Sequence, residues 1–306
     1  MIMISIVCPV FNEAAVVDTF IDAITNVMTS LNDDYELLFI NDGSTDETLS
    51  ILIERQKKTP TIKIIDFSRN FGKEAALTAG LDHARGDAVI PIDVDLQDPP
   101  ELIPQMVELW RSGYEVVLPK RVDRSQDTVT KRASANWFYK FHNKIAHTPI
   151  PENVGDFRLL DRKVVDAIKQ LPEKQRFMKG LFAWVGFKTT EVSYERQQRI
   201  AGQTTFSTWK LWNLAIEGIT GFSTLPLRVW SYIGAIISTL AFIYGSLIVL
   251  RTIIYGIDLP GYASLLTVTL FLGGIQLIGL GILGEYIGRI YLETKSRPLY
   301  IVKQEY

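Results

Sequence analysis

The sequence predicts an α/β domain, its mostly parallel sheet covered by helices on both faces, followed by a C-terminal transmembrane helical hairpin. Three observations predict it. Short apolar, β-branched runs alternate with longer helical segments along the N-terminal part of the chain. Polar residues that can carry chemistry sit directly after those runs, where the carboxyl ends of parallel strands bind ligands. Finally, residues 229–250 and 259–284 contain no Asp, Glu, Lys or Arg. As helices rising about 1.5 Å per residue, both are long enough to cross a hydrocarbon core of about 30 Å.

The expected strands are 4–7, 36–40, 62–66, 88–92 and 116–118. They are near-continuous apolar runs, as parallel strands buried on both faces require. Helices are expected from Glu13, after Ser44-Thr45-Asp46, from Gly72 and after Pro99-Pro100. Ser44 or Thr45 followed by Glu47 resembles an N-cap region, and Pro100 suits a first helical turn. Further helices are expected over 128–146 and 164–171, and a strand over 187–194. Residues 207–222 set Trp209, Trp212 and Ile216 against Lys210, Asn213 and Glu217 just before the first span, which predicts an interfacial amphipathic helix. The expected organisation is a water-soluble domain over 1–206, an interfacial helix over 207–227, and a membrane part over 228–306 with spans at 229–251 and 262–288 and a short tail.

A net charge of −2 without a block of like charge leaves no footprint for nucleic acid. The single cysteine, Cys8, cannot form an internal disulfide, which fits a reducing compartment, and it lies in an apolar run as a buried hydrophobe would. His83, His142 and His147 have no metal-ligand spacing. The apolar start, 1–10, has neither a basic leader nor a small-residue cleavage site, so no signal peptide is expected. Arg228 precedes the first span and Arg289, Lys295, Arg297 and Lys303 follow the second, while the loop between holds only Asp258. Despite Arg251 at the far end of the first span, this excess puts both termini in the cytoplasm. Gly284-x-x-x-Gly288 permits close helix contact, and with it a homo-oligomer.

Asp93-Val94-Asp95 follows the fourth strand directly. In extended chain, residues two apart point to one side, so both carboxylates face the mouth of the sheet. Hard oxygen ligands there invite Mg²⁺ or Mn²⁺, completed by a substrate phosphate. The chain has no G-x-G-x-x-G after the first strand and no G-x-x-x-x-G-K-[ST], so a dinucleotide oxidoreductase and a P-loop NTPase lose their main support.

Four motifs now resemble one family. Residues 5–13 (Ser-Ile-Val-Cys-Pro-Val-Phe-Asn-Glu), 41–46 (Asn-Asp-Gly-Ser-Thr-Asp), 93–101 (Asp-Val-Asp-Leu-Gln-Asp-Pro-Pro-Glu) and 155–159 (Gly-Asp-Phe-Arg-Leu) are similar, in this order, to those of family 2 glycosyltransferases with the Rossmann-like GT-A fold. With two C-terminal spans, the chain resembles the subgroup of dolichyl-phosphate mannose synthase and bacterial polyprenyl-phosphate glucosyltransferases. The resemblance implies that Pro9, Phe11 and Glu13 wall the nucleotide and that Asp42 accepts a hydrogen bond from uracil or ribose. It implies that Asp93 contacts the nucleotide sugar or the metal, and that Asp95, helped by Gln97, ligates the metal on the diphosphate. A second reading of Asp42, as a turn residue in Asn-Asp-Gly, stands beside this.

The implied acceptor is a polyprenyl phosphate, whose phosphate is largely dianionic near neutral pH and already nucleophilic. Asp156 is the candidate base if one exists, and otherwise orients acceptor or sugar. Arg121, Arg124, Lys131, Arg132, Arg158 and Arg199 are candidates for the acceptor phosphate, because guanidinium pairs with phosphate bidentately. Thr205 stands where the family's loop before the membrane usually carries Lys. A processive polysaccharide synthase is disfavoured, since its Gln-x-x-Arg-Trp motif is absent and the spans are few. The expected activity is inverting, metal-dependent transfer of a hexose, glucose from UDP-glucose, to polyprenyl phosphate at the cytoplasmic face of a bacterial inner membrane. The alternatives are the same reaction with GDP-mannose or another UDP-sugar, and a non-catalytic, membrane-anchored nucleotide-sugar-binding protein.

Overall fold

The computed structural model describes residues 2–121, 154–174, 176–194, 225–256 and 261–306. The chain divides into two units, residues 1–218 with 297–306, and residues 219–296.

The first unit is built on β1 (Met3–Val10), β2 (Asp34–Asn41), β3 (Ile62–Phe67), β4 (Ala88–Pro91), β5 (Val116–Arg121), β6 (Leu159–Asp161), β7 (Thr189–Tyr194) and β8 (Val302–Glu305). The helices are α1 (Val17–Ser30), α2 (Thr48–Lys58), α3 (Lys73–His83), α4 (Ile103–Arg111), α5 (Arg162–Lys169) and α6 (Met178–Trp184). The sheet order is β7-β5-β6-β4-β1-β2-β3-β8. Strands β4, β1, β2 and β3 run parallel, and β7 runs parallel to β5. Strand β6 is antiparallel to both β4 and β5, and β8 is antiparallel to β3.

Helices cover both faces, as the apolar runs predict. Ile4, Ile6, Cys8, Leu37 and Phe39 meet the buried faces of α1, α2 and α4 on one side. Phe20 of α1 packs edge-on against Phe39, with centroids 6.2 Å apart. On the other side α3 lies so close to the sheet that a Cβ on Gly80 would collide with Val7.

Three local expectations shift. Helix α1 begins at Val17 rather than Glu13, because residues 14–16 form a turn in which Val16 and Val17 donate to the Glu13 carbonyl, at 3.0 and 3.1 Å. Helix α2 begins at Thr48 with Glu47 at its N-cap position and no side-chain cap bond, so neither Ser44 nor Thr45 caps it. Asp46 accepts from the Thr48 backbone at 3.0 Å, while Ser44 and Thr45 are engaged by Asn12 instead. The helix expected at 164–171 starts at Arg162, where Asp161 caps it by accepting from Lys163 N at 2.9 Å. The helix expected over 128–146, and 207–224 of the interfacial helix, lie outside the described residues.

The second unit holds α7 (Leu225–Tyr255) and α8 (Tyr262–Thr294). Both are long and apolar enough to cross a membrane, with mean hydropathy 2.2 over Val229–Tyr255 and 1.4 over Phe271–Thr294. Each runs past the span expected from charge-free sequence, because isolated charges such as Arg251 and Glu285 do not end a helix. Trp230 of α7 seats against Gly279 of α8.

Candidate active site

Strand direction gathers the candidate residues at one end of the sheet. Parallel β4, β1 and β2 are neighbours, so Phe11 to Glu13, Asp42 and Asp93 to Asp98 follow adjacent strands at the same edge. Antiparallel β6 enters from that edge, which brings Asp156 and Arg158, just before it, alongside the residues that leave β4. Strands β5 and β7 leave there too, adding Arg121 and Tyr194. So does α3, whose first residue is Lys73.

Lys73 is the junction. Its ammonium lies 2.8 Å from Asp93 and 2.7 Å from Asp156. Sequence reasoning missed it. The available signal is slight: a lysine in the first turn of a helix opposes the helix dipole, which favours a carboxylate nearby. Burial lowers the lysine's proton affinity, but the two carboxylates outweigh it and hold the ammonium protonated well above its ordinary range. Burial pushes Asp93 up, Lys73 opposes this, and Asp156 and Asp95 add to it. Asp156 is the reverse: burial acts upward, yet Lys73, Lys179 and Arg158 prevail and hold it well below the usual carboxylate range.

Asp95 is buried, and one carboxylate oxygen accepts from Gln97 N at 3.1 Å. This tight turn places Leu96 at φ 55°. The Gln97 side chain is half-buried beside it. Asp93 and Asp95 supply hard oxygens, and no third His, Cys, Asp or Glu joins them among the described residues. That donor set fits Mg²⁺ or Mn²⁺, which takes one or two carboxylates and completes its shell from water and phosphate.

Asp42 is 4% exposed and accepts from Phe71 N at 2.6 Å and Gly72 N at 2.9 Å. Burial pushes its pKa up against those two bonds and Arg69. It therefore braces the loop between β3 and α3. Gly43 follows at φ +67°, where a Cβ would lie 2.5 Å from the Arg69 carbonyl carbon, so the two loops meet backbone to backbone. Pro9 is half-buried in β1 and Phe11 is 45% exposed at the rim. Glu13 N donates to Thr48 Oγ1 at 2.9 Å.

Arg158 is buried, donates to the Gly155 carbonyl at 2.6 Å and lies 4.1 Å over the Phe182 ring. Arg121 donates to Tyr194 Oη at 3.2 Å and lies 3.8 Å from Asp98, to which the Tyr194 hydroxyl also donates. Arg124, Lys131, Arg132 and Arg199 fall outside the described residues.

Glu74, next to Lys73, accepts from Met178 N at 3.1 Å and so ties α3 to α6. Burial pushes it up to about 7, with Asp156 adding, against Met178 N–H, Lys73 and Lys179. Folding thus favours the protonated acid. That contribution is complete below the unfolded pKa near 4.5 and is lost as pH rises through about 7. At about 1.4 kcal/mol per pKa unit, Glu74→Gln is expected to stabilise the protein by up to about 3 kcal/mol at pH 8 and not at pH 4. Thermal melts of the full chain at the two pH values check this; an equal gain at both would contradict it.

A family model described as glycosyl transferase family 2 matches residues 5–169, and one described as the GtrB C-terminal hairpin matches residues 225–290. The chain is 56% identical over 301 residues to a prophage bactoprenol glucosyl transferase homolog of Escherichia coli (strain K12), covering 98% of each chain. It is 55% identical over 302 residues to the bactoprenol glucosyl transferase of Shigella phage SfV, covering 99% of this chain and 98% of that one. Among solved structures, glucosyl-3-phosphoglycerate synthase from Mycobacterium tuberculosis in complex with Mg²⁺ and UDP is similar at TM-score 0.47 and 23% identity, over 72% of this chain and 77% of that one.

Proposed function

We propose a reaction for this chain, which belongs to glycosyl transferase family 2: glucose passes from UDP-glucose to the phosphate of a polyprenyl lipid. What carries the reading is similarity along nearly the whole length, soluble part and hairpin alike, to enzymes named for glucosyl transfer to bactoprenol. The gathering of Asp93, Asp95, Lys73 and Asp156 at one sheet end supports it.

Asp93 and Asp95, with Gln97, would hold Mg²⁺ or Mn²⁺. When bound, the ion supplies neutralisation of the charge that builds on the departing diphosphate. Pro9, Phe11 and Glu13 wall the nucleotide. Asp42 shapes that wall through residues 71 and 72, besides any bond to the base or ribose. A phosphate oxygen of the lipid attacks the anomeric carbon, and the bond from that carbon to the UDP oxygen breaks with inversion. UDP leaves with the electron pair. The depressed basicity of Asp156 makes it a poor proton acceptor, so its role is to orient, with Lys73, and the dianionic acceptor needs no base. Arg121 and Arg158 hold the phosphate end of the acceptor, joined by Arg132 and Arg199.

The hairpin places this chemistry at a bilayer. Both termini and the catalytic unit lie on the cytoplasmic side of the inner membrane, with 207–227 as an interfacial helix and the glycine-rich second span available for a homo-oligomer.

The full chain in detergent, given radiolabelled UDP-glucose, polyprenyl phosphate and Mg²⁺ or Mn²⁺, should yield lipid-extractable glucose. GDP-mannose and other UDP-hexoses should yield far less. No lipid-extractable label from any of these sugars would leave the non-catalytic binding protein instead.

A further inference from the structure

We propose that the C-terminal tail, residues 297–306, is a positioning element of the nucleotide-sugar site, with Lys303 acting through Asp66. The inference rests on the nucleotide-sugar reading above.

The tail returns to the first unit after the second apolar helix and pairs with the edge of the sheet. Ile64 and Tyr306 exchange backbone hydrogen bonds of 3.2 and 2.9 Å, and Ser68 N donates to the Ile301 carbonyl at 3.0 Å. Closing an edge needs only backbone. Two side chains of this tail do more, because each reaches an interior group that leads to the candidate site.

The first is Lys303. Asp66, near the end of β3, is 2% exposed. One of its oxygens accepts from Asn41 Nδ2 at 2.7 Å. The other has no hydrogen-bond donor among the described residues, and Lys303 Nζ stands 3.4 Å from it. A buried carboxylate is costly without an opposite charge, and the tail supplies one. The consequence reaches further, because Asp66 fixes which way the Asn41 amide points. With its nitrogen on Asp66, the Asn41 oxygen faces Ser44 N at 3.3 Å. Ser44 Oγ accepts from Asn12 N at 3.0 Å, and the Asn12 side chain accepts from Thr45 N at 2.8 Å. Asn12 sits at φ 56°, a left-handed conformation that asparagine adopts more readily than most residues, and its side chain and backbone are both held by this chain of bonds. This hydrogen-bonded chain ends between Phe11 and Glu13, on the nucleotide wall.

The second is Tyr300. Its ring stacks on Phe67 at 5.0 Å, and its hydroxyl donates to Asp82 of α3 at 2.9 Å. Phe67 meets Phe71 edge-on at 5.7 Å, and Phe71 N is one of the two donors to Asp42. Both threads from the tail therefore end on the loops that frame the nucleotide.

The test uses the full chain and separates the substrates. Lys303→Met is expected to raise the KM for UDP-glucose about fivefold to tenfold, with kcat and the KM for polyprenyl phosphate changed less than about twofold. Lys303→Arg should restore the wild-type value. In an Asp66→Asn background, Lys303→Met should add less than about twofold, because the charge it answers is gone. A lower Tm with an unchanged UDP-glucose KM would make the tail an edge strand only, and an undiminished effect in the Asp66→Asn background would place Lys303's action elsewhere. If Lys303→Met does not fold, Lys303→Gln replaces it with the same expected direction. If the wild-type chain transfers no sugar, the functional reading fails by itself. Calorimetry with UDP alone then decides the inference: weaker binding by the Lys303 variant supports it, and equal binding overturns it.

Discussion

Replacing Asp95 by Asn should lower kcat by about three orders of magnitude, roughly 4 kcal/mol of barrier, and leave the fold in place. The fold survives because the amide oxygen of Asn can still accept from Gln97 N, the bond that closes the turn around Leu96. What the substitution removes is charge. Asp93 and Asp95 stand two residues apart at the end of a buried strand, and Asp93 already takes up protons more readily than an ordinary aspartate, for burial first and Asp156 and Asp95 besides. Lys73 offsets part of this and is itself shared with Asp156. A cation bound there would answer that charge, and the proposed role of Asp95 is to help hold it against the diphosphate. Product formation measured beside a thermal melt separates lost chemistry from lost fold. Chelating divalent ions from the wild-type chain should reproduce the loss, and a wild-type rate in the Asn variant would remove Asp95 from that role.

Why part of this architecture was readable and part was not follows from what each element needs. The parallel strands β1 to β4 need apolar side chains on both faces, and that demand is written residue by residue in 4–7, 36–40, 62–66 and 88–92. The spans are readable for the same reason, since hydrocarbon tolerates few charges. Strand β6 is three residues long, and β8 reads Val-Lys-Gln-Glu with mostly exposed side chains. Such strands exist because an edge or neighbour receives their backbone, and backbone pairing leaves no mark in side-chain pattern. The site divides likewise. Asp93 and Asp95 announce themselves by following a buried strand. Lys73 gains its meaning only when α3 and the entry to β6 bring it between carboxylates 20 and 83 positions away in sequence. Asp42 shows the limit of motif reading from the other direction, since its carboxylate accepts from Phe71 N and Gly72 N, which no spacing in 41–46 foretells.

Lys73→Met should lower kcat/KM by about two orders of magnitude, roughly 3 kcal/mol, through a cause distinct from that of Asp95. Its side chain is 45% exposed while its ammonium is held between the two carboxylates, so the larger effect is on the geometry of the site rather than on stability. With the ammonium gone, the carboxylates of Asp93 and Asp156 lose their common partner, and their repulsion displaces the groups proposed to hold metal and acceptor. Lys73→Arg should not rescue the rate, because a planar guanidinium does not fill the place of a compact point charge between two carboxylates. Adding Asp156→Asn to Lys73→Met removes the repulsion as well. The double variant should regain most of the lost Tm and none of the lost rate, since Asp156 is also proposed to orient the substrates. Recovery of the rate in the double variant would mean that Asp156 is dispensable and that Lys73 serves only to neutralise it. A wild-type rate in Lys73→Met itself would reduce the bridge between α3, β4 and β6 to a surface ion pair.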